Sequence, residues 1–186
     1  MADCRFFIIF ASLKQKKRKI SAFCQKHRAM EEENKTNTHT SDQKRFKYQS
    51  LTDQLLATGC HLPALHLPNG MSACRFAFSD TRRRSHIPQY VANPRRMLQD
   101  IGKNAATTSL LALSCFTTSE RAETFYSCLR KAFKHAASTV GDSLSEGILT
   151  NDEGVMTTPS ANGHFDFYEY EGCDLNKTFH ITRKIA

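Results

Sequence analysis

One segment constrains this chain more than any other. Ala122, Phe125, Tyr126, Leu129, Ala132, Phe133, Ala136 and Val140 recur at intervals of three and four residues, which is the signature of an amphipathic helix facing a core. Thr117-x-x-Glu120 precedes it as a capping box, and Gly141 follows it. A single long helix over about 119–140 is therefore expected, and whatever packs against it must come from the rest of the chain.

The remaining pieces are mixed. Tyr48, Leu51, Leu55 and Leu56 fall at helical spacing, with Gly59 placed to end the turn. Pro63, Pro68 and Asn69-Gly70 mark a loop. Cys74, Phe76 and Phe78 then alternate with Arg75, Ala77 and Ser79, a strand with Arg75 on the face away from the phenylalanines. Asn93-Pro94 opens a short helix whose apolar side is Met97, Leu98 and Ile101. Ser109–Phe116 reads as a buried strand. After Gly141, Val155–Thr158 and His164–Glu171 are set to pair across Pro159–Gly163, and Thr178–Thr182 supplies a last strand with Phe179 and Ile181 on one face.

Strands that cluster at the end of the chain favour an α+β domain over an alternating parallel fold. The expected architecture is a small antiparallel or mixed sheet against the long helix and one or two shorter ones. It occupies residues 41–186, behind a flexible basic and polar arm at 1–40.

The 186 residues carry a formal net charge of +8 and a pI near 9.2, with 40% hydrophobic residues and a mean hydropathy of −0.49. Residues 1–29 hold eight basic groups against Asp3 alone, so the other 157 residues are nearly neutral. Within those, Arg75, Arg82, Arg83, Arg84, Arg95, Arg96 and Lys103 face only Asp80 and Asp100, whereas 135–176 holds eight acids and no Lys or Arg. Such blocks solvate loops, pair with each other in the fold, or, for the basic one, contact an anionic partner.

Three readings of residues 1–29 stand open: upstream sequence translated ahead of a start at Met30, a targeting segment, or a plain disordered tail. Phe6–Phe10 precedes Lys14–Lys19, the reverse of a secretory signal. Lys16-Lys17-Arg18-Lys19 fits a nuclear-localisation cluster in a eukaryotic host. No stretch reaches the length of a membrane-spanning helix. Seven cysteines, an odd number, without a secretory signal point to free thiols and a cytoplasmic setting, nuclear if the basic cluster is used.

Several side-chain sets are candidate sites. Gly163–Glu171 is the densest chemistry. On a strand, His164, Asp166, Tyr168 and Tyr170 share one face, while Phe165, Phe167, Glu169 and Glu171 share the other; either apolar surroundings there raise the carboxylate pKa values, or the strand leaves the core at Glu169 and both acids meet solvent. Cys60, His61, His66 and Cys74 match no paired zinc-ligand spacing, and His164 with Asp166 lacks companions, so no metal is expected. Cys115 is unconstrained as a nucleophile, and Cys128 reads as a core filler. Neither a P-loop nor a Rossmann glycine fingerprint is present.

Arg75 on an early strand, the hydroxyl-rich stretch Ser114–Ser119 and Glu169-x-Glu171 on a late strand together resemble the ADP-ribosyltransferase arrangement. That resemblance implies an NAD-using transferase. Arg75 would hold the diphosphate, Thr117 would stand in the nicotinamide pocket, Glu171 would be the catalytic acid and Glu169 its helper. The leading expectation is different: a binding domain that meets a nucleotide, a nucleic acid or an acidic protein through Arg82, Arg83, Arg84, Arg95 and Arg96.

Overall fold

A computed structural model describes residues 44–80 and 82–186. The readings made for 1–29, including the Lys16–Lys19 cluster, and for the whole 1–40 arm lie outside these residues. The elements in chain order are α1 (Gln49–Ala57), β1 (Met71–Ala77), α2 (Gln89–Ala92), α3 (Pro94–Gly102), a 3-10 turn (Thr108–Leu111), β2 (Leu113–Phe116), α4 (Ser119–Ala132), α5 (Ala136–Val140), β3 (Ser143–Leu149), β4 (Gly154–Met156), β5 (His164–Glu169), α6 (Leu175–Thr178) and β6 (His180–Lys184). The six strands form one sheet in the order β4-β5-β2-β1-β3-β6, with every neighbouring pair antiparallel. The class is α+β.

Period-two alternation gives each strand two faces, and both faces of the sheet are covered. Cys74, Phe76, Phe116 and Leu144 meet Ala122 and Phe125 of α4 on one side. On the other, Ala73, Leu113, Cys115, Leu149, Phe165 and Phe167 pack with Met156, Leu175 and Phe179. A third cluster of Leu55, Tyr90, Met97 and Leu111 ties α1, α2, α3 and the 3-10 turn together.

The expected helix over 119–140 is two helices. Phe133 takes an extended conformation (φ −133°, ψ 105°) and ends α4, leaving its ring 51% exposed. A straight helix of that span would be about 33 Å long. The seven residues of β1 cover about 23 Å, so α4 alone matches the sheet beneath it. The chain then turns back through α5. Gly141 sits at φ +130° against β1, where an added Cβ would lie 2.3 Å from the Ala77 oxygen. The Tyr126 hydroxyl donates to the Gly141 oxygen at 2.7 Å, pinning the turn to the underside of α4.

Other departures are local. Thr118, not Thr117, caps α4, its hydroxyl accepting from the Arg121 N–H. The first half of the expected Ser109–Phe116 strand is the 3-10 turn, which lets Thr107 cap it through the Ser109 N–H. Phe179 ends α6 rather than starting β6; it is buried, whereas Ile181 on the strand is 47% exposed. Among the described residues no helix is long and apolar enough to cross a membrane.

Candidate functional site: an interior polar cluster and an arginine-rich segment

Arg75 projects from β1 on the face of Ala73 and Ala77 and is buried. Its Nη1 lies 2.8 Å from His86 Nδ1, while its Nε has no hydrogen-bond partner. Burial, and then the adjacent Arg75 charge, push the His86 imidazole down to about 3. The ring is therefore neutral at physiological pH and accepts from the guanidinium. It also stacks on Phe179, ring centroids 5.3 Å apart.

Glu169 stands on the same face, at the end of β5, and is buried. Lys47 donates from Nζ to Glu169 Oε2 at 2.5 Å and to the Cys173 oxygen at 3.0 Å, and its backbone N–H donates to the Glu169 oxygen. Glu169 Oε1 has no hydrogen-bond partner. Burial raises the Glu169 carboxyl above its ordinary range, with Lys47 and Arg75 opposing that shift.

The neutral imidazole has a measurable consequence. A histidine with a depressed folded pKa takes up a proton on unfolding below about 6.5, so its stability contribution falls as pH drops from 6.5 toward 3. Between pH 7.5 and pH 5 His86 costs about 2 kcal/mol. Gln in its place keeps an acceptor for Arg75 without titrating. Urea unfolding of His86→Gln at the two pH values should lack that share of the acid sensitivity seen in the parent protein. Equal sensitivity in both would contradict a buried neutral His86.

The arginine-rich segment lies on the chain that leads from β1 through α2 into α3. Arg82 grips Asp80 with two bonds of 2.9 Å. Arg83 lies 3.5 Å over the Phe78 ring and donates to the Ser138 oxygen at 2.7 Å. Arg84 and Arg95 are exposed. Arg96 is half-buried, its Nε 3.5 Å from Asp100 one turn along α3. Asn93 caps that helix as the sequence implied, accepting from the Arg96 N–H.

The acidic stretch is engaged elsewhere. Asp142 accepts from Ser79, Glu146 from Thr182, Glu153 from Thr150 and Thr178, and Asp174 from Asn176 at the start of α6. Asp152 pairs with Lys44 and Glu169 with Lys47. Asp166 stands beside His164, and Glu171 is exposed in the turn after β5. Among the described residues, no ion pair joins these acids to Arg82, Arg83, Arg84 or Arg95.

The other sequence candidates separate. Arg75 and Glu169 share one face, but Thr117 and Glu171 flank opposite ends of β5. The Thr117 N–H donates to the Gly163 oxygen just before the strand, and the Glu171 N–H to the Arg45 oxygen beyond it. Eight residues of largely extended chain separate Gly163 from Glu171, about 26 Å, more than one ribosyl centre spans.

No group of three or more His, Cys, Asp or Glu residues is placed to hold a metal ion among the described residues. Cys60 donates to the Ala106 oxygen, His66 bridges to Met156, and Cys74 is buried in β1. Burial pushes the Cys115 thiol up to about 12, far from a thiolate nucleophile. Cys60, Cys74, Cys115, Cys128 and Cys173 are all free.

Lys47 and His86 went unnoticed in the sequence. Each acts on a residue far along the chain or across a loop, and no spacing announces either. No protein-family model matches the chain, and no curated protein and no solved structure is similar to it.

Proposed function

We propose that the chain is a binding module for an anionic partner, a nucleotide, a nucleic acid or an acidic protein, and that Arg82, Arg83, Arg84, Arg95 and Arg96 form the contact surface. One observation carries this reading: among the described residues no acid of 135–176 forms an ion pair with Arg82, Arg83, Arg84 or Arg95. From Ser79 to Lys103 six basic residues stand against Asp80 and Asp100 alone. Asp80 pairs with Arg82 and Asp100 with Arg96, and the positive charge left on Arg83, Arg84 and Arg95 attracts phosphates or carboxylates from outside.

The mounting of the side chains supports it as well. Pro88 and Tyr90 are fully buried between the two arginine groups, and the Tyr90 hydroxyl donates to Asp100 at 3.0 Å. Arg83 is held by Phe78 and Ser138. Arginines on anchored backbone lose less freedom on binding than the same residues on a loose tail.

Arg84 and Arg95 join no described ion pair, so charge reversal there disturbs the fold least. Fluorescence anisotropy with a labelled single-stranded oligonucleotide, a labelled glutamate-rich peptide and a labelled nucleoside diphosphate distinguishes the partner classes. The double variant Arg84→Glu/Arg95→Glu should bind the preferred probe at least about 10-fold more weakly at 50 mM salt, since each phosphate contact contributes separately. Unchanged affinity in that variant, or no binding of any probe by the parent protein, would sink the proposal.

A further inference from the structure

The sheet register brings a second set of polar groups together, away from the arginines and from the Arg75 cluster. β2 and β5 pair with Ser114 opposite Asp166 and Phe116 opposite His164. All four lie on the face that α4 covers farther along. Ser114 Oγ is 2.6 Å from His164 Nε2, and the same nitrogen is 4.0 Å from Asp166 Oδ1. Ser114 is exposed, and the His164 and Asp166 side chains keep 30% and 18% of their surface. Phe116, itself buried, meets the His164 ring edge-on with centroids 5.4 Å apart, which fixes the imidazole plane.

These positions have the makings of an activated nucleophile: a hydroxyl reachable from solvent, a base within hydrogen-bond reach, and a carboxylate near the base. Burial holds the imidazole below its ordinary range despite the nearby Asp166 charge, so the ring is available as a base at neutral pH. Burial likewise raises the Asp166 carboxyl, with Ser109 and His164 opposing. The placement of the carboxylate differs from that in the serine-hydrolase triad. There the carboxylate bonds the far nitrogen and orients the ring, whereas here hydroxyl and carboxylate approach the same nitrogen. Asp166 therefore acts through its charge on the imidazolium, and the Phe116 contact supplies the orientation.

We propose that Ser114 is a nucleophile toward activated esters, with His164 as its general base. Ser114 Oγ attacks the ester carbonyl carbon while its proton passes to His164 Nε2. The carbonyl–oxygen bond to the leaving group breaks, and His164 returns the proton to the departing alkoxide. Water then attacks the acyl-serine, His164 takes its proton, and Ser114 is regenerated with release of the carboxylic acid.

A fluorophosphonate probe tests this directly on the full chain, because serine attack at phosphorus breaks the P–F bond, releases fluoride and leaves a stable adduct. Peptide mass spectrometry should find the adduct on Ser114 and none there in Ser114→Ala, an exposed site whose loss the fold tolerates. Labelling of His164→Ala should fall at least 10-fold and recover when imidazole is added, which a merely structural histidine would not allow. Asp166→Asn should label several-fold more slowly, and an unchanged rate there overturns the part given to Asp166. Absence of an adduct on Ser114, a rate no greater than that of heat-unfolded protein, or indifference to His164→Ala would overturn the proposal.

Discussion

Lys47→Met should lower stability at pH 7.5 by about 3 kcal/mol, whereas Glu169→Gln should cost less than about 1 kcal/mol. The asymmetry follows from burial. The Glu169 side chain keeps 1% of its surface and Lys47 keeps 32%. Losing Lys47 strands a carboxylate that has already lost its water, and one of its oxygens is unpartnered even in the intact protein. Losing the Glu169 charge leaves an ammonium that still donates to the Cys173 oxygen and reaches solvent. The folded Glu169 carboxyl stays raised even with Lys47 in place, so its charge is a net burden to the fold at neutral pH.

The sign with pH follows. A raised carboxylate withholds stability above its unfolded pKa and restores it as pH falls through the folded value. Without Lys47 that value climbs further, so the penalty in Lys47→Met should shrink as pH is lowered toward 4.5. Urea titrations at pH 7.5 and 5 read both variants against the parent protein. A Glu169→Gln cost larger than that of Lys47→Met would reverse the assignment.

Phe167→Ala should cost about 4 kcal/mol, the loss expected for a fully buried aromatic in a site unable to collapse. Phe167 sits opposite Leu113 on β2 and Met156 on β4, so strands hold it from both sides. Its ring tip fills the space over Gly154, where an added Cβ would meet Cζ at 2.7 Å. Backbone fixed by two ladders cannot close over the void. Ile181→Ala, at an edge-strand position 47% exposed, should stay within about 0.5 kcal/mol. Thermal unfolding compares the two, and for a domain of this size the first should lose roughly 10 °C or more. Similar shifts for both would mean that the core does not run through β5.

What could be read from the chain was local. Asn93-Pro94 marked α3 because a cap and a fixed φ act within a few residues. The β4–β5 pairing followed from two short apolar runs joined by Pro159–Gly163. Period two placed Glu169 on the face of Phe165 and Phe167 but left open whether the strand leaves the core there; Glu169 is buried and Glu171 is exposed. What escaped was nonlocal. Periodicity ran unbroken past Phe133 because nothing in the helix records how long the sheet beneath it is. Thr117 and Thr118 are chemically alike, and the backbone path out of β2 chooses between them. The Arg75–His86 contact depends on how the chain after β1 folds back. The Ser114–His164 contact depends on β2 pairing with β5, strands separated by fifty residues of sequence.

The proposed contact surface, too, was visible only in part. Residue counting located the basic block but left open whether the acidic stretch would neutralise it. The contacts of Asp142, Asp152, Glu153, Glu169 and Asp174 answer that by occupying those carboxylates elsewhere. The measurement that bears most directly on this account is the salt dependence of oligonucleotide affinity, plotted as log K against log salt. Counterion release by three to five arginines predicts a slope of roughly −2 to −4, reduced by about 1 to 2 in Arg84→Glu/Arg95→Glu. A slope near zero, or one that the double variant leaves unchanged, would contradict an arginine-built polyanion surface.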